Sequence, residues 1–340
     1  MLSLVYDIAA ESGGAITILD NYFENAKEDV HNSFVFVVSH KKYKSQNNIA
    51  VYCFSWIKKS WFHRIFFDIF FLKKFIRKFN FDYVISLQNS LVPHIKSNQT
   101  IYFHNMLFIS KYRINFIKNP KLWIYKHLYS KIVFYSLKKA NKIIVQAKWI
   151  SDLLSIKLNI NPKKIHIQKP IISWTKEFSD FILTPIIDKS IIIFFYPTSS
   201  VEFKNLRLIS ECTKIIPSNY FKNFRILLTV SAKDNYITKK ISREICKYDL
   251  PISLIGYKSK ADVFNIYCQS VLLFTSLVES SPLPLIEASR LNREIIVSDL
   301  PYAHEILENY NNVIYFNPNS AKDLSKIIIN YLEMRSTIVE

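Results

Sequence analysis

Short runs of β-branched and aromatic residues alternate along this chain with longer stretches of helical period. In the first half the runs predict strands at Leu4–Ile8, Phe34–Val38, Val51–Phe54, Tyr83–Ser86, Thr100–Phe103, Ile143–Val145 and Lys164–Ile167. Helical periodicity falls near Ala15–Ala26, Trp61–Phe79, Leu122–Leu137 and Ile150–Leu158. In the second half, strands are predicted at Ile191–Tyr196, Arg225–Val230, Ile252–Ile255, Leu272–Thr275, Ile295–Ser298 and Val313–Phe316, with a last helix over Ala321–Arg335. Strand, helix and strand in series mean parallel sheets covered by helices. Two such series predict an α/β chain of two doubly wound domains facing each other across a cleft. The break is expected at Gln168–Glu177, where Pro170 interrupts the pattern, giving domains 1–170 and 171–340. The last helix could pack back on the first domain.

A length of 340 residues suits two domains, and a hydrophobic share of 49% excludes a disordered chain. No stretch of 18 apolar residues lacks a charge, so no transmembrane helix is predicted. The N-terminus, MLSLVYDIAAESGG, is too short and too acidic for a signal peptide. Cys53, Cys212, Cys246 and Cys268 are far apart and fit reduced thiols of a cytosolic protein. Charge changes the picture more. Residues 1–170 carry 26 Lys and Arg against 9 Asp and Glu, whereas residues 171–340 carry 19 against 18. A genome rich in A and T would add lysine to both halves, so the asymmetry points to an anionic partner of the first half, a membrane or a nucleic acid.

Glycine is scarce, with three in the chain, so each is expected where no side chain fits. Gly13 and Gly14 lie in AESGGAITIL, a turn from strand one into a helix that points backbone N–H groups at a phosphate or sugar oxygen. The alternative is an ordinary turn. In TSLVESSPLPLIEASRLN, Ser281 suits a helix N-cap and Pro282 the first helical position. Glu279 then sits on a loop at the carboxyl end of a strand, where such sheets bind ligands, and Glu287 sits inside the helix. Two carboxylates so placed can address two parts of one extended ligand. The bland alternative is a surface Glu and a second one favoured by the helix dipole.

ESSPLPLIEA resembles the E-x7-E motif of the retaining, two-Rossmann (GT-B) glycosyltransferases, the group 1 or family 4 enzymes, and within them the polysaccharide and O-antigen assembly type. The order of the other motifs is similar: Gly13-Gly14 after strand one, His104-Asn105 after TIYF, Phe203-Lys204-Asn205 after the first strand of the second half, Gly256 after ISLI, and SDLPYAHEIL after EIIV. The resemblance implies two Rossmann-like domains, an acceptor on the first and a nucleotide-sugar donor, UDP- or GDP-linked, on the second. It implies no cofactor beyond that substrate. Glu279 would hold donor-sugar hydroxyls, Glu287 the ribose, and Lys204 the departing diphosphate; His104 would sit near the transferred sugar. Gly13, Gly14, Ser199, Gly256, Leu283 and Glu305 complete the implied donor contacts. Ser199 stands where the family commonly has Arg, and Ser280, Ser281 and Pro282 replace its loop glycines. The resemblance implies transfer with retention, and the absence of any D-x-D from the chain fits metal independence.

The stretch WFHRIFFDIFFLKKFIRKF mixes aromatics with Lys and Arg at helical spacing. It reads equally as an interfacial helix with its basic face toward anionic lipid or as a core helix with a basic edge. The implied acceptor is a polyprenol-linked saccharide at the cytoplasmic face of the plasma membrane, which the basic half would approach by charge and leave at high salt. Competing readings are a non-catalytic saccharide- or partner-binding protein of the same fold and a basic nucleic-acid binder. The chain carries no RNA-binding signature, so no nucleic-acid partner is expected.

Overall fold

The computed structural model describes residues 1–10, 14–117, 119–169 and 191–339. Gly13 and residues 170–177 of the expected break lie outside them. The chain divides into two compact units, Met1–Ile172 and Ser173–Glu340.

The first unit runs β1 (Leu2–Asp7), α1 (Gly14–Glu28), β2 (Ser33–Val38), β3 (Ile49–Cys53), α2 (Trp61–Phe66), α3 (Leu72–Ile76), β4 (Tyr83–Ser86), β5 (Asn98–Phe103), α4 (Pro120–Ile124), α5 (Ser130–Lys139), β6 (Lys142–Val145), α6 (Lys148–Leu158) and β7 (Ile165–Ile167). Its sheet has the order β3-β2-β1-β4-β5-β6-β7, and every pairing is parallel. The helix expected over Trp61–Phe79 is a continuous rod that changes pitch: a π-helical turn, Phe67–Phe71, joins α2 to α3. A second π-helical turn, Tyr125–Tyr129, joins α4 to α5.

Alternation along β1 sorts the core onto two faces. Leu4, Tyr6 and Ile8 pack with Phe67, Leu72, Phe75 and Ile76 of the α2–α3 rod. Val5 packs with Ile18, Leu19 and Phe23 of α1. Chain direction explains the division. The connections β1→β2 and β3→β4 cross the sheet in opposite senses, and right-handed crossovers then place α1 on one face and α2–α3 on the other. By the same rule the α4–α5 rod, connecting β5 to β6, lies on the α2–α3 face.

The second unit runs β8 (Ile192–Tyr196), α7 (Leu206–Ile215), β9 (Phe224–Leu228), α8 (Tyr236–Tyr248), β10 (Ile252–Leu254), α9 (Lys260–Tyr267), β11 (Val271–Phe274), α10 (Leu283–Arg290), β12 (Ile295–Ser298), α11 (Pro301–Ile306), β13 (Val313–Phe316) and α12 (Ala321–Val339). Its parallel sheet has the order β10-β9-β8-β11-β12-β13. Phe194 meets Phe224 and Tyr331 of α12, while its neighbour Phe195 meets Tyr267 of α9 on the other face. All three phenylalanines are fully buried, each stabilising the fold by roughly 1.5–3 kcal/mol. Within its own unit α12 packs along α7.

Candidate functional site

In the second unit the strand order reverses between β8 and β11, the switch point at which open α/β sheets bind ligands beyond their carboxyl ends. Lys204 follows β8 and Glu279 follows β11. The structure joins them: Lys204 Nζ donates to Glu279 Oε1 at 2.5 Å, with side chains only 20% and 13% exposed. Their separation by 75 residues leaves no trace of this pairing in sequence spacing.

Backbone stitching sets the geometry. The Lys204 carbonyl accepts from Tyr196 Oη at 3.3 Å and Thr275 Oγ1 at 2.9 Å. The Phe203 carbonyl accepts from Leu277 N at 2.8 Å. Tyr302 Oη donates to the Ser276 carbonyl at 2.5 Å, tying α11 to the same loop. Asn205 follows in the left-handed region at φ 58° and donates to the Pro318 carbonyl. The motif FKN is therefore a turn whose carbonyls face β11, leaving the Lys204 ammonium to reach Glu279. Tyr196, Thr275 and Tyr302 are positioning residues that the sequence reading missed. They read as ordinary strand-end and helix residues until the turn is seen.

Helix α10 begins one residue later than expected. Its N-cap is Pro282, which has no side-chain hydrogen bond, and Leu283 and Pro284 occupy the first two positions; Ser281 is not the cap. The cause is geometric: Pro282 has φ −70° and ψ 108°, the extended backbone favoured before a helix rather than inside one. Leu283 is half-buried at the helix start. Glu287 sits one turn further on and accepts from Tyr267 Oη at 3.2 Å. Burial raises the Glu287 pKa above the usual carboxyl value, opposed by the Tyr267 hydroxyl and the charge of Lys260. Lys260, whose charge acts on Glu287, opens α9 shortly after Gly256.

Gly256 has φ +68°, a conformation that disfavours a side chain, and its N–H donates to the Val230 carbonyl. Gly14 corrects the expectation that no side chain fits. Among the described residues a Cβ there would meet nothing within 4 Å, so none of them demands glycine at the start of α1. Ser199 is exposed on the loop after β8, and its carbonyl accepts from Thr198 Oγ1. Glu305 is half-buried in the fifth position of α11.

His104 belongs to the first unit. Its backbone N–H and that of Asn105 donate to Asn89 Oδ1 at 2.8 and 3.0 Å. Burial, opposed by the Tyr102 backbone, lowers its imidazole pKa to about 4, so the ring is neutral at pH 7, and its Nδ1 has no hydrogen-bond partner among the described residues. Around the carboxyl end of β1 and β4 lies a polar network that the sequence did not announce. Tyr6 Oη donates to Asp68 Oδ1 at 2.9 Å, Arg64 Nε to Asp68 Oδ2 at 2.8 Å, and Arg64 Nη2 to Gln88 Oε1 at 2.9 Å. Ser90 Oγ is 3.1 Å from Tyr129 Oη of the second π-helical turn. The available signal was Gln88-Asn89-Ser90, three polar residues directly beyond an apolar strand.

Residues 184–338 match the family of Glycosyl transferases group 1. That match falls within the second unit and includes the switch-point seam. Over 264 residues the chain is 22% identical to the O-antigen chain mannosyltransferase RfbU of Salmonella typhimurium, covering 77% of this chain and 68% of that protein. Sucrose-phosphate synthase from Thermosynechococcus elongatus superposes with a TM-score of 0.72 at 13% identity, covering 98% of this chain and 90% of that one. Anabaena Alr3699/HepE, solved with UDP-glucose, superposes with a TM-score of 0.67 at 12% identity, covering 99% and 91%. Two parallel-sheet α/β units in this order are the GT-B glycosyltransferase fold.

Proposed function

We propose that this chain transfers a sugar from a UDP- or GDP-linked donor, with retention and without a metal ion, to a polyprenol-linked saccharide during surface-polysaccharide assembly. It would work as a peripheral protein on the cytoplasmic face of the plasma membrane. The observation that carries the reading is the Lys204–Glu279 pair at the switch point, with Glu287 one helical turn into α10. The group 1 match, the O-antigen transferase relative and the UDP-glucose complex of a protein with the same fold support it.

In this reading the Lys204–Glu279 pair holds a charge that the donor diphosphate can take over. The diphosphate displaces Glu279 from Lys204, and the freed carboxylate turns to the donor-sugar hydroxyls. As the bond from sugar to diphosphate breaks, negative charge grows on the leaving group, and Lys204 meets that charge in a partly desolvated setting. Glu287, held by Tyr267, takes the ribose hydroxyls. Gly14 and Gly13 would bring backbone N–H groups to the diphosphate, with Gly256, Leu283, Ser199 and Glu305 around the nucleotide. His104 stays neutral near the transferred sugar.

The test is nucleotide release from UDP- and GDP-sugars in the presence of excess chelator, alongside thermal shift by UDP and GDP. A raised melting temperature with one nucleotide and chelator-resistant release are expected. Binding without release would favour the non-catalytic reading, and the absence of both binding and release would overturn the assignment.

A further inference from the structure

Over their leading halves the two π-bulged rods of the first unit turn charged side chains inward, beside the core ring of Phe67, and apolar ones outward. A surface helix ordinarily turns apolar residues inward and polar ones outward. Here the inward residues include Arg64, Asp68 and Lys126. The first two close the network with Tyr6 and Gln88, and Lys126 donates to the carbonyls of Ser110 and Tyr112. The outward residues of α2 and its π-helical turn are apolar apart from His63: Phe62, Ile65, Phe66, Ile69, Phe70 and Phe71, with Phe62 83% and Phe70 63% exposed. Along α4–α5, Ile124, Leu128, Ile132 and Tyr135 follow at spacings of four, four and three, all exposed. Just ahead of that rod stand Phe116 and Ile117, the latter 90% exposed.

Scattered exposed apolar residues need no explanation, but a contiguous set does. Contiguity here follows from topology. Both rods lie on one face of the sheet, and both start from its carboxyl edge, after β3 and after β5. Their inner faces meet the same network, through Asp68 on one rod and Tyr129 on the other. The apolar halves therefore share the carboxyl edge. The trailing halves are basic: Lys73, Lys74, Arg77 and Lys78 on one rod and Lys131, Lys138 and Lys139 on the other are exposed. Between Asp82 and Asp152 the chain has no acid at all.

We propose that these outward faces insert into the headgroup–acyl boundary of an anionic bilayer. The charge pattern selects that occupant. A second copy of this face would set like charges against each other, which disfavours a symmetric dimer. A nucleic acid would satisfy the lysines but leave the phenylalanines in water. An anionic interface satisfies both, with side chains reaching roughly 5–10 Å below the headgroups and the basic ends at the lipid phosphates. No helix among the described residues is long and apolar enough to cross a membrane, so insertion is shallow. The apolar faces also revise the salt expectation: charge alone would release the protein at high salt, whereas the inserted rings hold part of it. The inference gives the acceptor-side reading above its docking surface and rests on that reading for its purpose, but not for its test.

The test is co-sedimentation of the full chain with vesicles of phosphatidylglycerol and phosphatidylcholine, or phosphatidylcholine alone, at 0.1 and 0.5 M NaCl. The wild type should bind the anionic vesicles, with a fraction retained at 0.5 M NaCl. Phe62→Ser/Phe66→Ser/Phe70→Ser should lose that retained fraction, with affinity down about tenfold or more, and should keep the wild-type circular dichroism. Ile124→Ser/Leu128→Ser, on the other rod, should act in the same direction. Lys73→Ser/Lys74→Ser/Arg77→Ser/Lys78→Ser should lose the salt-sensitive part instead. Equal binding to neutral vesicles, full release of the wild type at 0.5 M, or an unchanged Phe variant would overturn the proposal. So would a wild-type dimer that the Phe variant splits without any vesicle binding. Vesicle binding with no nucleotide release would leave this surface standing and defeat the transferase reading; release without vesicle binding would do the reverse.

Discussion

The two units place their polar side chains by opposite rules at the same position in the same fold. At the carboxyl edge of the second sheet, a half-buried Lys204 and Glu279 pair directly across the switch point, inside a unit whose sequence is nearly neutral. At the carboxyl edge of the first sheet, Asp7 is buried, has no ion-pair partner among the described residues, and caps the N–H groups of Ala9 and Ala10 at 3.0 and 2.9 Å. Beside it, Arg64 and Asp68 face inward beneath helices whose apolar side chains face out. A paired charge in the second unit is available to an incoming anion. An inward polar network under an apolar skin suits a surface that leaves water. The same doubly wound frame is thus adapted to two different neighbours by which side chains it turns toward its core.

That contrast can be broken at Asp7. Burial raises its carboxyl pKa from 3.8 to about 6, opposed by the two backbone N–H groups and by Lys58 and Arg64. A folded-state pKa above the unfolded one means that the native state binds the extra proton. Stability therefore falls as pH rises from about 4 to about 6, and the loss is complete above that window. Asp7→Asn keeps the acceptor oxygen without the charge. It should be more stable than the wild type by about 3 kcal/mol at pH 8, and the advantage should vanish near pH 4. Urea titrations at the two pH values check this; a pH-independent difference would mean that Asp7 is not a buried carboxyl of this kind.

A somewhat smaller effect sharpens the inversion of the rods. Asp68→Ala leaves the half-buried Arg64 without its carboxylate and Tyr6 without its acceptor, and should cost about 2 kcal/mol after allowance for partial exposure. Phe62→Ser removes a larger apolar group from water contact and should change stability by no more than about 0.5 kcal/mol. Paired chemical denaturation curves decide the matter. A Phe62 variant as costly as the Asp68 variant would show that the ring is packed, not presented.

The strands and their parallel order were legible because each reads as a short apolar, β-branched run, and no predicted strand in either half is missing. Tyr83–Ser86, Ile295–Ser298 and Val313–Phe316 match to the residue. Helix starts were less legible. Two prolines near the head of α10 permit more than one register, and the backbone of Pro282 decides for the later one. Glu279, Glu287 and Lys204 stood out by motif, but their pairing did not. It depends on hydroxyls from β8, β11 and α11 converging on two carbonyls, a property of the packed sheet. The rods show the limit from the other side. Helical spacing in WFHRIFFDIFFLKKFIRKF is plain, yet which stripe turns inward depends on Tyr6 of β1 and Gln88 just beyond β4, which the period cannot see.

The central claim is that the Lys204–Glu279 pair is a diphosphate site held closed by its own carboxylate. Titration of UDP and GDP into Glu279→Gln, by calorimetry, tests it together with the rate of nucleotide release from the sugar donor. Neutralising Glu279 frees Lys204, so the bare nucleotide should bind more tightly than in the wild type, while release from the nucleotide-sugar should fall about 100-fold. Glu287→Ala, as the control, should weaken nucleotide binding. Wild-type turnover in Glu279→Gln, or weaker binding of the bare nucleotide to it, would contradict the account.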